Sequence, residues 1–253
     1  MTKYLFHPDE LTRGVIGAEL GLDFLSCRRI ELDAPARVTI ETRSEETLLV
    51  CIGGQAEFLY RDALGALNFK DFLYVPWKSQ IELRTDHRAV VMQIGSPSDR
   101  DTAFAHLTFS DVARDPARHK VFGQAETASL RDVFMYVDDK FPAARLLAGV
   151  CEARPGGWTG WPPHEHGNEK EELYIYFDMG NAFGIQCAFE SLDKPLFFAM
   201  VRDGDAVPVR AGYHPSVACP GGRMCYIYAI AARVPGERSF MALRVMDQFG
   251  KFG

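Results

Sequence analysis

No two of the six cysteines, Cys27, Cys51, Cys151, Cys187, Cys219 and Cys225, form a C-x-x-C pair. Their scatter argues against a thiolate metal site and marks them as reduced, mostly buried small apolar side chains. Cys187 and Cys225 lie in strand-like runs and are expected to pack in a core rather than line a cavity. No stretch is long enough and free enough of charge to span a bilayer. Met1 to Glu10, with Lys3, His7, Asp9 and Glu10, lacks the apolar run of a signal peptide. A cytoplasmic address with no membrane partner is the expectation. Positive charge is not in excess either: 28 Lys and Arg stand against 34 Asp and Glu, a formal net charge of -6. That balance offers no basic field for a phosphate backbone and argues against nonspecific nucleic-acid binding, yet it leaves room for a local basic pocket facing a small anion.

What the 253 residues do contain is a rhythm of short strands punctuated by Gly, Pro, Asn and Asp. Strands are predicted over Arg37–Glu41, Leu48–Ile52, Ala56–Tyr60, Asp71–Val75, Gln80–Arg84 and Ala89–Ile94. They resume over Val133–Val137, Leu146–Cys151, Leu173–Phe177, Gly184–Phe189, Leu196–Val201, Met224–Ala229 and Phe240–Val245. The polar break Ser96–Asp101 and the stretch through Lys120, with a short helix near Ser110–Arg114, read as a linker. The pattern predicts an all-β chain of two tandem jelly rolls, residues 1–115 and 116–253. The first half has no H-x-H pair. His7 and His87, and His106 and His119 in the linker, are expected to be surface or structural, so residues 1–115 read as a metal-free brace for the second half.

Chemistry concentrates in Pro162-Pro163-His164-Glu165-His166, in the downstream Glu171 and Glu172, and in Gly212-Tyr213-His214. Alternate residues of a strand share a face, so His164 and His166 can grip one ion while Glu165 points away. Gly167–Lys170 reads as a turn and Glu172–Phe177 as the neighbouring strand, a hairpin that would return a carboxylate beside the imidazoles. Only one of Glu171 and Glu172 can face them. Asp203-Gly204-Asp205, a short strand Ala206–Val209 and the turn Ala211–Pro215 would then deliver a third imidazole. Lone histidines are more often packed or surface residues than ligands. The ordered set of three His and a Glu favours a divalent metal, with zinc the first expectation and Mn, Fe, Ni or Co compatible.

This arrangement resembles the cupin superfamily. More closely it is similar to the 5-deoxy-glucuronate isomerase and 4-deoxy-L-threo-5-hexosulose-uronate ketol-isomerase family. The matching residues are Pro162–His166, Glu172–Phe177, Gly204-Asp205, Gly212–Pro215, Pro220-Gly221 and Tyr226-Ile227-Tyr228. Glu126–Arg131 is similar to the segment that opens the second half of the ketol-isomerases. The first half matches weakly, through Glu46–Val50, Gly53-Gly54 and Tyr74-Val75-Pro76. Arg210 stands where the general cupin pattern favours Pro, and one residue rather than two separates Gly212 from His214, a spacing the isomerases share. Phe177-Asp178-Met179 is closer to the ketol-isomerases and Gly212–Pro215 to the 5-deoxy-glucuronate enzymes. The resemblance implies tandem cupin jelly rolls (a bicupin) and His164, His166, Glu172 and His214 as metal ligands.

It also implies aldose–ketose isomerisation of a deoxy-uronate, first 5-deoxy-glucuronate, through an enediol. That reaction needs an electrophile for developing oxyanion charge and a group to carry the proton. Lys170, Glu171, Tyr174, Tyr176 and Tyr213 are the candidate carriers, although each also reads as a solvated turn or barrel-lining side chain. The substrate carboxylate calls for a guanidinium, Arg131 first and Arg154 second. The alternatives are the hexosulose-uronate reaction, a cupin dioxygenase, or a sugar-binding cupin without turnover. A homo-oligomer is compatible with all of them.

Overall fold

Runs of β-branched and aromatic residues separated by turn formers give a chain that is 49% strand and 8% helix. The computed structural model describes residues 3–251. Met1, Thr2, Phe252 and Gly253, at the outer ends of the two expected halves, lie outside the described residues. Two short helices, α1 (Pro8–Arg13) and α2 (Gly17–Leu20), precede β1 (Ser26–Leu32), β2 (Ala36–Glu41), β3 (Glu45–Gly54), β4 (Ala56–Tyr60), β5 (Ala63–Leu67), β6 (Phe72–Val75), β7 (Gln80–Thr85), β8 (Ala89–Pro97) and β9 (Ala105–Leu107). Helix α3 (Phe109–Arg114) leads to β10 (His119–Phe122), β11 (Arg131–Val137), β12 (Leu146–Ala153), β13 (Trp158–Thr159), β14 (His164–Glu165), β15 (Lys170–Tyr176) and β16 (Gly184–Ser191). Then come β17 (Lys194–Val201), β18 (Ala206–Val209), β19 (Ser216–Ala218), β20 (Met224–Ala232) and β21 (Arg244–Val245).

The first strands form two sheets, β1-β8-β3-β6-β9 and β2-β7-β4-β5, packed over one apolar cluster that includes Leu49, Phe58, Leu73 and Leu83. The later strands form β10-β11-β12-β20-β15-β18 and β13-β19-β16-β17, with β14 and β21 as a separate ribbon. Both are jelly-roll sandwiches. A third cluster joins them: Leu48, Val50, Phe72 and Met92 pack against Phe134, Val150, Ile175 and Ile227. The six-stranded sheet is therefore buried on both faces. Along β15, Leu173 and Ile175 face the first-half sheet, whereas Tyr174 and Tyr176 face the interior of the second sandwich.

Three expectations need correction. The stretch 96–120 is no plain linker: β8 runs on to Pro97, and β9 and β10 join the first and second sandwiches. The hairpin of β14 with β15 does not form, because β15 pairs with β18 and β20 while β14 pairs with β21. Of Phe240–Val245 only Arg244 and Val245 are strand.

Candidate metal centre

β15 is zipped between β18 and β20, with Glu172 opposite Val209 and Ile230. Its register fixes the carboxylate against the inner wall. The turn at 167–169 returns the chain from β14 without a ladder, bringing His164 and His166 over the same wall. His214 arrives from the turn after β18. There Gly212 has φ +80, and a Cβ would stand 2.7 Å from the Phe189 carbonyl, so this tight corner requires glycine. Phe189 and Tyr213 exchange backbone hydrogen bonds at 3.0 and 2.9 Å, which locks the corner.

The ligand atoms of His164, His166 and His214 all lie within 4.8 Å of one another, the one such group of three among the described residues. Glu172 Oε2 is 3.0 Å from His166 Nε2 and 3.1 Å from His214 Nε2. His214 Nδ1–H donates to the Gly212 carbonyl at 2.9 Å, and His164 Nδ1–H to Pro162 at 3.3 Å. These bonds select the tautomer that leaves each Nε2 lone pair for an ion. His214 Nε2 and His166 Nδ1 are buried without a hydrogen-bond partner, a costly state for polar atoms in a protein interior. Three nitrogens and a carboxylate converging in this way are compatible with a divalent metal.

Electrostatics agree with that chemistry. Burial, with the charges of His214 and His166 adding to it, holds the His164 imidazole well below its ordinary range, and burial also lowers His166. Burial works against ionised Glu172, but the hydrogen bond from His166 and the nearby His214 ring overcome it and hold the carboxyl well below the usual range. Neutral imidazoles and an ionised carboxylate are the ligand forms.

The centre opens on a cavity of about 40 Å³. Arg131 lines it, buried, donating to the Ser129 carbonyl at 3.0 Å and the Trp161 carbonyl at 2.8 Å. Tyr174 lines it too, stacked on Tyr226 at 4.4 Å with its ring 6.0 Å from His214. Sequence reading did not single out Tyr226, Tyr228, Cys151 or Phe240 as lining residues, yet they complete the wall. The parity of Tyr226 and Tyr228 on β20 was a usable signal. Cys151 was not so marked, and burial pushes its thiol up to about 11. Gly149 gives Tyr228 its place: a Cβ there would lie 2.4 Å from the Tyr228 hydroxyl.

Other expected residues are elsewhere. Glu171 faces the opposite side of β15 and accepts the N–H groups of Asp23 and Phe24 at 2.9 and 2.7 Å. Adjacent strand residues cannot share a face. Tyr176 donates to Gln186 Oε1, and Gln186 Nε2 donates to the His214 carbonyl at 2.9 Å, so this tyrosine braces the His214 loop. Tyr213 stacks on Phe189 outside the cavity. Arg154 is exposed and pairs with Asp132 at 3.0 Å. Lys170 is buried with its ammonium on the carbonyls of Ser239 and Ala242. His7 bonds Asp205 at 2.8 Å, His106 stands 3.5 Å from Asp71, His119 bonds Asp132 at 2.8 Å, and His87 is exposed. No helix among the described residues is long and apolar enough to cross a membrane.

A family model described as KduI/IolB matches residues 6–243. Over 201 residues the chain is 27% identical to 4-deoxy-L-threo-5-hexosulose-uronate ketol-isomerase 1 of Rhizobium meliloti, covering 74% of this chain and 66% of the relative. It is 30% identical to 5-deoxy-glucuronate isomerase of Geobacillus kaustophilus over 115 residues, 41% of each. With the 5-deoxy-glucuronate isomerase of Bacillus subtilis strain 168 it shares 22% over 245 residues, 88% of this chain and 86% of that one. The matched region thus spans less than two thirds of the first two relatives' own length. In fold, the chain superposes on an IolB-like protein from Salmonella typhimurium with TM-score 0.81, 17% identity and 98% of each chain covered. It also superposes on Bacillus subtilis oxalate decarboxylase with TM-score 0.69 and 12% identity over 98% of this chain and 80% of that one.

Proposed function

The chain belongs to the KduI/IolB family, and from that premise we propose that it is an aldose–ketose isomerase of a deoxy-uronate, first 5-deoxy-glucuronate and second the hexosulose uronate. The observation that carries the reading is the convergence of His164, His166, His214 and Glu172 beside a pocket that His164, His166, Glu172 and Arg131 line. Residues 116–253 supply this site and residues 1–115 the scaffold beneath it. Zinc is the first expectation for the ion. A divalent ion bound there supplies a Lewis acid for the carbonyl and hydroxyl oxygens that become the enediol.

The remaining work belongs to the chain. Arg131 presents a planar fork to the uronate carboxylate. Of the five candidate proton carriers, Tyr174 is the one that lines the cavity. Burial raises its hydroxyl well above the ordinary range, so it holds its proton at neutral pH and donates to a substrate oxygen. The apolar parts of Tyr226, Tyr228 and Phe240 exclude water, which strengthens those contacts.

The test is turnover of both uronates by metal-loaded protein, followed by NMR in heavy water. Ketose formation with solvent deuterium at the carbon that becomes CH2OH is the expected result. Protein that converts neither uronate but consumes oxygen with an organic substrate overturns the isomerase reading in favour of a dioxygenase.

A further inference from the structure

Residues 238–246 do not continue the sheet; they run as a strap along the metal pocket, which Phe240 and Leu243 line. Arg238 fastens one end by donating to the carbonyls of Asp138 at 3.0 Å and Leu146 at 2.9 Å. The other end is β21, paired with His164 and Glu165, followed by the Met246 N–H on the Pro163 carbonyl at 2.9 Å. Between them lies Phe240, whose side chain walls the pocket. Lys170 reaches from the ligand strand, two residues before Glu172, and its ammonium holds the carbonyls of Ser239 and Ala242 on either side of that ring.

The space behind the strap is too small for its proposed occupant. A water needs roughly 10–15 Å³ of such space, so a cavity of about 40 Å³ takes a few waters and no six-carbon sugar acid. Next to it is a cleft of about 600 Å³, and Phe122, Tyr228 and Phe240 line both spaces. Phe122 and Tyr228 sit on sheet strands β10 and β20, whose backbones are held by ladders and cannot swing aside. Phe240 sits on the strap and moves at the cost of the Lys170 hydrogen bonds and the bond from its own N–H to Asp139 Oδ1 at 2.7 Å.

We propose that the strap 238–246 is a gate between the cleft and the metal pocket, and that Lys170 is the positioning residue that holds it closed rather than a proton carrier. The identity of what passes rests on the sugar-acid reading; the gate itself does not. The experiment is hydrogen–deuterium exchange on the full chain for the native protein, Lys170→Met, Lys170→Arg and Phe240→Ala, with the rate of zinc removal by a chelator as a second readout. In Lys170→Met, exchange over 238–246 is expected to rise about tenfold with β15 and β20 unchanged, and Lys170→Arg is expected to recover most of the protection. Zinc release should quicken by about tenfold in Lys170→Met and in Phe240→Ala, since both open the same wall. Native exchange over the strap in Lys170→Met overturns the proposal, as does an unchanged zinc release rate in Phe240→Ala. Loss of one limb of the pH–rate profile in Lys170→Met with an unmoved strap likewise overturns it and makes Lys170 a proton carrier. If Lys170→Met does not fold, Phe240→Ala decides; if zinc does not bind, strap exchange decides. A gate that responds as expected in a protein that turns over neither uronate leaves the gate standing and removes the isomerase reading.

Discussion

At the scale of single residues, burial favours the neutral His164 and His166 imidazoles, and the Glu172 carboxyl is held ionised. His164 and His166 titrate lower in the folded chain than in the unfolded one, where an imidazole has pKa about 6.5. The unfolded state therefore binds more protons as pH falls through that value, and stability falls with it. Glu172, lowered on folding, adds a loss in the same direction once pH drops below about 4.5. Chelator-treated protein is expected to show a falling urea midpoint from pH 7.5 to 5.5, a slope that His164→Asn reduces. The double variant His164→Ala, His166→Ala should lose stoichiometric metal, measured by elemental analysis; full retention places the ion elsewhere. Arg131→Lys should raise KM with a smaller effect on kcat, because an ammonium cannot reproduce the bidentate fork. Tyr174→Phe should lower kcat by about tenfold to a hundredfold with KM little changed. Steady-state kinetics on both uronates separate the two.

At the scale of elements, the strand β15 and the corner before β19 do most of the positioning. β15 carries Glu172 and Tyr174 inward and Leu173 and Ile175 toward the first-half sheet, so each of its residues is buried. The corner at Gly212 has both a left-handed φ and a carbonyl where a Cβ would go. Gly221 has φ +71 but nothing within 4 Å, which makes it the natural control. Gly221→Ala is expected to cost about 1 kcal/mol for its backbone conformation alone, and Gly212→Ala about 2–4 kcal/mol because Phe189 must also shift. Only Gly212→Ala should weaken metal binding, since His214 follows it by two residues. Denaturant melts with metal titration distinguish these outcomes.

At the scale of the whole molecule, the two sandwiches share a core and a buried carboxylate. Glu46, on β3, accepts the backbone N–H groups of Ala144, Arg145 and Leu146 at 2.7, 2.6 and 2.9 Å and the Tyr74 hydroxyl as well. A first-half side chain thus caps the start of β12, the neighbour of β20. Lys70, nearly buried, reaches Glu152 at 2.6 Å and Asp178 at 3.2 Å. Removing the first half would uncover Phe134, Val150, Ile175 and Ile227, among others. At about 2 kcal/mol for each large apolar side chain, those four alone amount to about 8 kcal/mol, within the range of an entire domain's net stability, about 5–15 kcal/mol. A chain starting at residue 116 is expected to be insoluble or molten, without cooperative unfolding by near-ultraviolet circular dichroism. A folded, fully active fragment would refute the scaffold role.

The sequence by itself determined the β-rich rhythm, the short helix before β10 and which residues are the candidate ligands, because alternation, turn residues and the H-x-H spacing are local patterns. Tertiary structure decided what depends on contact between distant segments. Glu171 and Glu172 are equivalent in composition, and only the docking of residues 23–24 against one face of β15 separates a backbone anchor from a centre carboxylate. Arg131 and Arg154 differ because one is buried with its guanidinium on the Trp161 carbonyl and the other is exposed beside Asp132. Phe240–Val245 reads as a strand by apolar content, yet most of it is a strap, since the carbonyls of Ser239 and Ala242 bond to Lys170 instead of a neighbouring strand. Backbone groups take whichever partner packing brings within reach, and that partner is not written in the local sequence.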